Sequence, residues 1–186
     1  MIGVTIHELT VGDHAELTRV ADEADIAGFV DSVGDYNPIH SDRAYAAGTS
    51  FKERIAPGIW TAGLVSAVIG TRLPGPGTVY LSQDLRFHRP VRFGDAVTAR
   101  VEVVEASPEK NRVRLRTSCV NQHGEEVLAG EAVVKPSRTP VRYERTVGPA
   151  AALTLWALVP WAWAAQGAAV TGAMAWSLLA LSQPRR

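Results

Sequence analysis

The sequence has one cysteine and no net positive charge. Cys119 is the only cysteine in 186 residues, which excludes an internal disulfide and is typical of a reducing compartment, so we expect a cytoplasmic protein. Lysine plus arginine and aspartate plus glutamate number 19 each, and this balance does not indicate a nucleic-acid partner. The N-terminus lacks a basic segment followed by an apolar run, so no signal peptide is predicted.

The five histidines are scattered, and none has the spacing of a metal site. Asp35 and His40 could supply two ligands, but no third ligand accompanies them. We therefore expect no metal, and the sequence predicts no other cofactor.

Residues 34–40, Gly-Asp-Tyr-Asn-Pro-Ile-His, place a carboxylate and an imidazole five residues apart. Pro38 fixes its own φ and pushes Asn37 toward an extended conformation, which predicts a shaped loop. On such a loop Asp35 and His40 can converge on one water, as addition of water to a polarised double bond requires. Gly, Asp, Asn and Pro are also ordinary turn residues, so these seven residues alone leave a simple turn open.

The elements along residues 1–137 predict an α+β domain. Residues 57–72 carry no charge between Pro57 and Gly70, which predicts a helix buried on nearly all sides. Apolar residues then alternate with polar ones over 97–103 and 113–119, as in a half-buried antiparallel sheet, and a last strand covers 128–134. The remaining predicted elements are strands at Val4–Leu9 and Ala15–Ala21, a helix from Asp22 or Asp25 to Val33, and a short helix at Asp42–Ala47.

Residues 29–40, with Ala46 following, resemble the hydratase motif of the MaoC-like dehydratases, a family that includes the (R)-specific enoyl-CoA hydratases. The resemblance continues in the same order through residues 55–66, 79–87 and 90–95, and covers residues 2–137. It implies a hot-dog fold, an antiparallel sheet wrapped around one long helix. It also implies a homodimer whose sheets join edge to edge.

The resemblance implies reversible hydration of a trans-2-enoyl-CoA to an (R)-3-hydroxyacyl-CoA. Asp35 and His40 would activate one water, with the base and the acid left open between them. Gly58 would donate its N–H to the thioester oxygen, and Asn37 and Ser66 would contact the substrate. Gly58 and Ser66 can also be explained as small packing residues, and Pro57 stands where many relatives have a histidine.

Two other functions remain open at this stage. A thioesterase of the same fold would use a carboxylate to direct water at the thioester carbonyl. A non-catalytic acyl-binding module would need neither Asp35 nor His40. Acyl chain length, the residues that bind CoA and the physiological direction are not predicted.

The resemblance ends before the C-terminal segment, so we expect a hydratase domain in residues 1–147 and an apolar helical tail in residues 148–186. The tail has no charged residue between Gly148 and Gln183, and four of the five tryptophans lie in it. Its length suffices for a membrane helix, which needs about 20 apolar residues. Three interpretations compete: a membrane or apolar-surface anchor, a helix at an oligomer interface, or an extension without a selected role.

Overall fold

In the computed structural model, the structure describes residues 1–144. The predicted tail therefore lies outside the described residues. Two short 3-10 helices cover Ile6–Glu8 and Pro108–Lys110. The helices and strands, numbered in chain order, are β1 Ile2–Gly3, β2 His14–Val20, α1 Glu23–Val33, α2 Pro38–Ser41, α3 Arg43–Gly48, α4 Gly58–Thr71, β3 Val79–Phe87, β4 Ala96–Ser107, β5 Arg112–Val120, β6 Glu126–Lys135 and β7 Val141–Arg142.

One five-stranded antiparallel sheet forms the body of the fold, with strand order β2-β4-β5-β6-β3. Strands β4, β5 and β6 follow one another as neighbours, whereas β3 crosses over to pair with β6 and becomes an edge. Strands β1 and β7 form a separate two-stranded pair.

The predicted strands at 97–103 and 113–119 are confirmed as parts of β4 and β5. One face of each strand is apolar and buried. Val97, Val101 and Leu115 are fully buried, while Arg114 and Arg116 between the buried positions of β5 are exposed. We call the buried side the inner face of the sheet. The alternation places the hydrophobic core between this face and α4.

Helix α4 packs on the inner face mainly over β4 and β2, and scarcely over β3. Pro57 caps its start, as predicted, and Arg72 its end. The prediction that this helix is buried on nearly all sides is wrong for the single chain. Ile59, Gly63 and Ser66 are exposed, because the sheet covers one side of the helix and no other described element covers the opposite side.

The predicted strand at Val4–Leu9 is also wrong, since Ile6–Glu8 forms one turn of 3-10 helix. The carboxylate of Glu8 accepts hydrogen bonds from the Thr5 backbone N–H at 2.7 Å and from the Thr5 hydroxyl at 2.8 Å. These local bonds close the turn, and they still let Ile6 and Leu9 reach the core three residues apart.

The helix predicted to reach Val33 is confirmed, and its cap is Asp22. The Asp22 carboxylate accepts from the Asp25 N–H at 2.7 Å. None of the helices within residues 1–144 combines the length and the hydropathy needed to cross a membrane.

Candidate active site

Asp35 owes its position to the glycine that ends α1. Gly34 caps the helix with φ 74°, a left-handed conformation that glycine adopts without strain. The chain turns away from the helix axis at this point, so Asp35 lies on the connection to α2. Its Oδ1 accepts from the Asn37 N–H at 3.4 Å.

His40 lies on α2, and this corrects part of the loop prediction. Pro38–Ser41 forms a single helical turn, with Pro38 at its first position and the Asn37 Oδ1 accepting from the Ile39 N–H at 3.3 Å. Asn37 itself is extended at ψ 121°, as predicted. Proline suits the first turn of a helix because no partner is needed there for its missing N–H, so the turn forms directly after the extended residue.

The structure brings Asp35 and His40 together. The Nε2 atom of His40 lies 3.6 Å from the Oδ2 atom of Asp35, which is too long for a direct hydrogen bond. One water to the side of the two atoms can lie within hydrogen-bond distance of both. On the other side of the ring, Nδ1 lies 2.8 Å from the Ile55 carbonyl oxygen. The side chains are 10% and 43% exposed for His40 and Asp35 respectively, so the imidazole is nearly buried and the carboxylate is open to solvent.

The tautomer of a neutral His40 follows from these contacts. A carbonyl oxygen can only accept, so Nδ1 carries the proton and donates it to Ile55. Nε2 then presents a lone pair on the side of Asp35. A neutral imidazole and an ionised carboxylate arranged in this way both accept hydrogen bonds from one water.

Gly58 is the first residue of α4, where a backbone N–H has no partner within the helix. A Cβ built on Gly58 would lie 2.9 Å from Cε1 of Phe87, so glycine is also what lets the Phe87 ring approach the start of the helix. Both interpretations of this glycine therefore fit the structure. The free donor and the positive end of the helix dipole favour an oxygen that gains negative charge.

A cavity of about 300 Å³ opens beside Gly58. Most of its lining is apolar, with His88 and Arg89 also part of the wall. Among the described residues its lining does not include Asp35, His40 or Ser66. The residues that surround it are Phe51, Ile55, Ala56, Gly58, Thr61, Phe87, His88, Arg89, Pro90, Val91 and Val127.

The structure does not place Ser66 in contact with the Asp35–His40 pair. Ser66 lies two turns after Gly58 and is exposed on the side of α4 that faces away from the sheet. Sequence reasoning missed two residues that the site uses, Ile55 and Phe87. The carbonyl of Ile55 carries no signal in its side chain, and the contact of Phe87 with Gly58 joins elements almost thirty residues apart.

One arginine near the site is committed to the fold. Arg54 is 11% exposed, binds Glu23 and stacks its guanidinium 4.2 Å from the centre of the Phe93 ring. The hydrogen bond from Arg54 lowers the pKa of the Glu23 carboxyl. The Nε atom of Arg89 lies 3.4 Å from Oε1 of Glu125, and both side chains are about half exposed. Such surface ion pairs are weak, so Arg89 can leave Glu125 for another anion.

Cys119 is a buried core residue whose Sγ lies 3.8 Å from the carbonyl oxygen of Thr61 on α4. Burial raises the pKa of its thiol to about 12. The thiol is therefore protonated at neutral pH and unsuited to act as a nucleophile. Within residues 1–144, no three histidine, cysteine, aspartate or glutamate side chains group as metal ligands would.

Comparison with known proteins agrees with this geometry. Residues 6–127 match the family model described as MaoC like domain. The chain belongs to the MaoC-like dehydratase family. A 3-hydroxybutyryl-CoA dehydratase of Methylorubrum extorquens is 52% identical over 69% of this chain and 81% of that protein. An (R)-specific enoyl-CoA hydratase of Rhodospirillum rubrum is 47% identical over 68% of this chain and 88% of that protein.

A solved structure extends the similarity to three dimensions. The unliganded R-hydratase PhaJ1 from Pseudomonas aeruginosa superposes with a TM-score of 0.74 at 47% identity, covering 78% of this chain and 93% of that one. The predicted hot-dog fold of this MaoC-like protein is thereby confirmed.

Proposed function

We propose that this MaoC-like protein catalyses the reversible hydration of a trans-2-enoyl-CoA to an (R)-3-hydroxyacyl-CoA. The Asp35–His40 pair, with its 3.6 Å gap and its fixed imidazole, carries the proposal. Relatives at 52% and 47% identity that are named as a 3-hydroxybutyryl-CoA dehydratase and an (R)-specific enoyl-CoA hydratase support the same reaction.

The reaction begins with a water that lies beside the pair and donates to both Nε2 of His40 and Oδ2 of Asp35. The water oxygen attacks C3 of the enoyl group while one of the two acceptors takes a proton from it. The pair then delivers a proton to C2, so that water supplies both the OH and the H that are added. The net result is OH on C3 and H on C2, and the reverse sequence removes water from the 3-hydroxyacyl thioester.

Negative charge moves to the thioester oxygen as the C3–O bond forms. The N–H of Gly58 at the start of α4 is the donor we assign to that oxygen, since it is unpaired and lies at the positive end of the helix. Asn37 shapes the turn that carries His40, and we assign Ser66 to the substrate only through the family resemblance.

The test uses the purified full chain with crotonyl-CoA and longer enoyl-CoAs. Hydration removes the enoyl absorbance while the free thiol concentration stays constant, and chiral analysis of the product should give the (R) isomer. Release of free CoA would indicate a thioesterase instead. Loss of absorbance with a predominantly (S) product would mean that the substrate meets Asp35 and His40 with its other face.

We also propose a homodimer joined along β3. This edge strand leaves backbone groups without a partner in the single chain, and Val79, Leu81 and Phe87 on it are 53%, 42% and 52% exposed. Ile59 on the uncovered side of α4 adds a further exposed apolar side chain at 59%. Leu81→Lys should therefore shift full-length protein from dimer to monomer in sedimentation equilibrium. Val11→Lys should not, since Val11 lies on a turn before β2, at the opposite edge of the sheet.

For the tail we propose association with a membrane or another apolar surface. A charge-free stretch with clustered tryptophans and basic residues on both flanks avoids bulk water. Full-length protein should sediment with lipid vesicles, and a chain ending at residue 147 should not, with turnover per site nearly unchanged. Equal behaviour of the two forms would refute the proposal, and joint loss of dimer and activity would assign the tail to the oligomer interface.

A further inference from the structure

Strand β3 carries a polar network on the inner face of the sheet, and the hydration chemistry does not use it. Tyr80 and Gln83 pair with Val134 and Ala132 on β6, both of which are fully buried in the core. Residues directly opposite each other on antiparallel strands point to the same face, so Tyr80 and Gln83 point to the inner face as well.

A β-bulge makes this arrangement possible. Residues three apart on a regular strand point to opposite faces, but the register shifts between Tyr80 and Ser82. The extra residue, Leu81, brings Tyr80 onto the same face as Gln83. The bulge therefore aims two polar side chains into the same region.

Three side chains form the network. The Tyr80 hydroxyl donates to the Gln83 amide oxygen, and the Gln83 amide nitrogen donates to the Thr117 hydroxyl at 3.0 Å and to the Asp84 carbonyl at 2.7 Å. Thr117 lies on β5 and is fully buried. The amide nitrogen has thus used both of its protons, while the amide oxygen and the tyrosine oxygen each retain a free lone pair.

Gly130 on β6 provides the passage between the strands. A Cβ at this position would lie 1.8 Å from the Asp84 carbonyl oxygen and 3.1 Å from the Gln83 amide nitrogen. A side chain at position 130 would collide with the backbone of β3 and would crowd the Gln83 amide where it passes β6 to reach Thr117. Gln83 therefore supplies the amide that crosses the sheet, and Gly130 leaves the space beside it.

Tyr80 and Gln83 of the network lie on the same strand as Phe87, which lines the cavity beside Gly58. Tyr80, Gln83 and Leu85 are only partly buried because α4 scarcely covers β3. At the other end of the same strand, the Phe87 ring contacts Gly58. Gln83 lies four positions before Phe87, about 13 Å away at the usual rise per residue of a strand.

We propose that the Tyr80–Gln83–Thr117 network forms the far end of the acyl-binding site and limits the length of the acyl chain. This inference rests on the proposed hydratase function. A thioester whose oxygen binds Gly58 and whose chain runs along β3 reaches the network only when the chain is long. Its methylene groups would then remove water from the two free lone pairs without replacing the hydrogen bonds, which disfavours long chains.

The experiment compares chain-length profiles of full-length protein. The triple variant Tyr80→Phe/Gln83→Met/Thr117→Val removes both free lone pairs together with the buried partner of the amide, and the double variant Tyr80→Phe/Gln83→Met removes the two lone pairs and leaves Thr117 in place. Ser82→Ala, on the exposed opposite face of the same strand, is the matched control. The values of kcat/KM are measured for enoyl-CoAs of four, six, eight and ten carbons, together with Tm.

The triple variant should raise the ratio of kcat/KM for the eight- and ten-carbon substrates over crotonyl-CoA by about tenfold, and the double variant should raise it in the same direction, because neither leaves a free lone pair for a long chain to desolvate. Ser82→Ala should keep the wild-type ratio. If the triple variant fails to fold, the double variant decides. An unchanged ratio in a folded variant would overturn the proposal and leave the network as a brace for the edge strand. A wild-type protein that hydrates no enoyl-CoA would instead refute the proposed function.

Discussion

The inner face of the sheet has two parts that share an alternating sequence pattern but differ in chemistry. Beneath α4, β4 and β5 present Val101, Leu115 and other apolar side chains with no exposed surface. On β3 the same face carries Tyr80 and Gln83, which are hydrogen-bonded to each other and only partly buried. The closed part holds the fold together, and the open part and the connections near it offer groups for binding and chemistry. We therefore expect substitutions in the closed part to lower the free energy of unfolding, and substitutions in the open part and its neighbouring connections to change kcat/KM.

The largest effect is expected at the proposed water site. Asp35→Asn and His40→Ala should each lower kcat/KM by about 10² to 10⁴-fold, because an amide at position 35 cannot take or give the proton and the alanine removes the imidazole. The double variant should lose far less than the product of the single losses, since the pair acts as a unit. Steady-state hydration of crotonyl-CoA tests both expectations, and circular dichroism shows whether each variant is folded.

Asp31→Asn is the control for these variants. Asp31 is an exposed carboxylate on α1, four residues before Asp35, and its replacement should leave turnover at the wild-type level. Near-normal turnover in folded Asp35→Asn or His40→Ala would contradict the assignment of the pair.

In the closed part the expected loss is one of stability. Leu115→Ala removes a fully buried side chain and should lower the free energy of unfolding by about 2–5 kcal/mol, because the cavity it leaves cannot close completely. Urea denaturation measures the change, and turnover per folded molecule should stay close to wild type. Val11→Ala, at a position 63% exposed, should change stability by less than about 0.5 kcal/mol. A large loss of turnover without a loss of stability would mean that the two parts are not separable.

A smaller effect is expected at Asn37, whose amide oxygen accepts from the first turn of α2. Asn37→Ala should lower turnover about tenfold, since losing a helix cap costs about 1 kcal/mol and loosens the turn that holds His40. Asn37→Ser, which retains a capping oxygen, should recover most of the activity. If serine gave no recovery, Asn37 would have a direct contact with the substrate rather than a capping role.

The smallest effect concerns the closed part again. Burial raises the pKa of the Cys119 thiol to about 12, so at pH 8 the reactive thiolate is almost absent and the native protein should not react with Ellman's reagent. The same protein in guanidinium chloride should release one equivalent of the coloured product. Rapid stoichiometric reaction of the native protein would show that the core under α4 opens readily.

Local sequence signals account for much of the fold. The Asp22 cap and the left-handed Gly34 bound α1, Pro57 starts α4, and alternation defines β4 and β5. These predictions succeed because caps and alternation act over a few residues. The error at Val4–Leu9 arose because the Thr5–Glu8 hydrogen bonds outweigh an apolar pattern that suits either a strand or a turn.

The candidate site was predictable only in part. Asp35 and His40 lie in one short motif, so their closeness follows from a five-residue spacing and a proline. The exposed side of α4 was not predictable, because an uncharged helix looks buried from sequence whether or not a neighbour covers it. The exposure of Ser66 was not predictable for the same reason, because packing alone decides which side of α4 the sheet covers.

The sequence by itself determined the α+β class, the chemical groups and the motif that places this chain among the MaoC-like dehydratases, because these depend on residue type and short spacings. Only the tertiary structure decided that Ile55 fixes the tautomer of His40, that Phe87 contacts Gly58, and that Gln83 reaches Thr117 across Gly130. Each of these contacts joins residues 15 to 47 positions apart, and their closeness arises from strand register and helix packing, which no local pattern encodes.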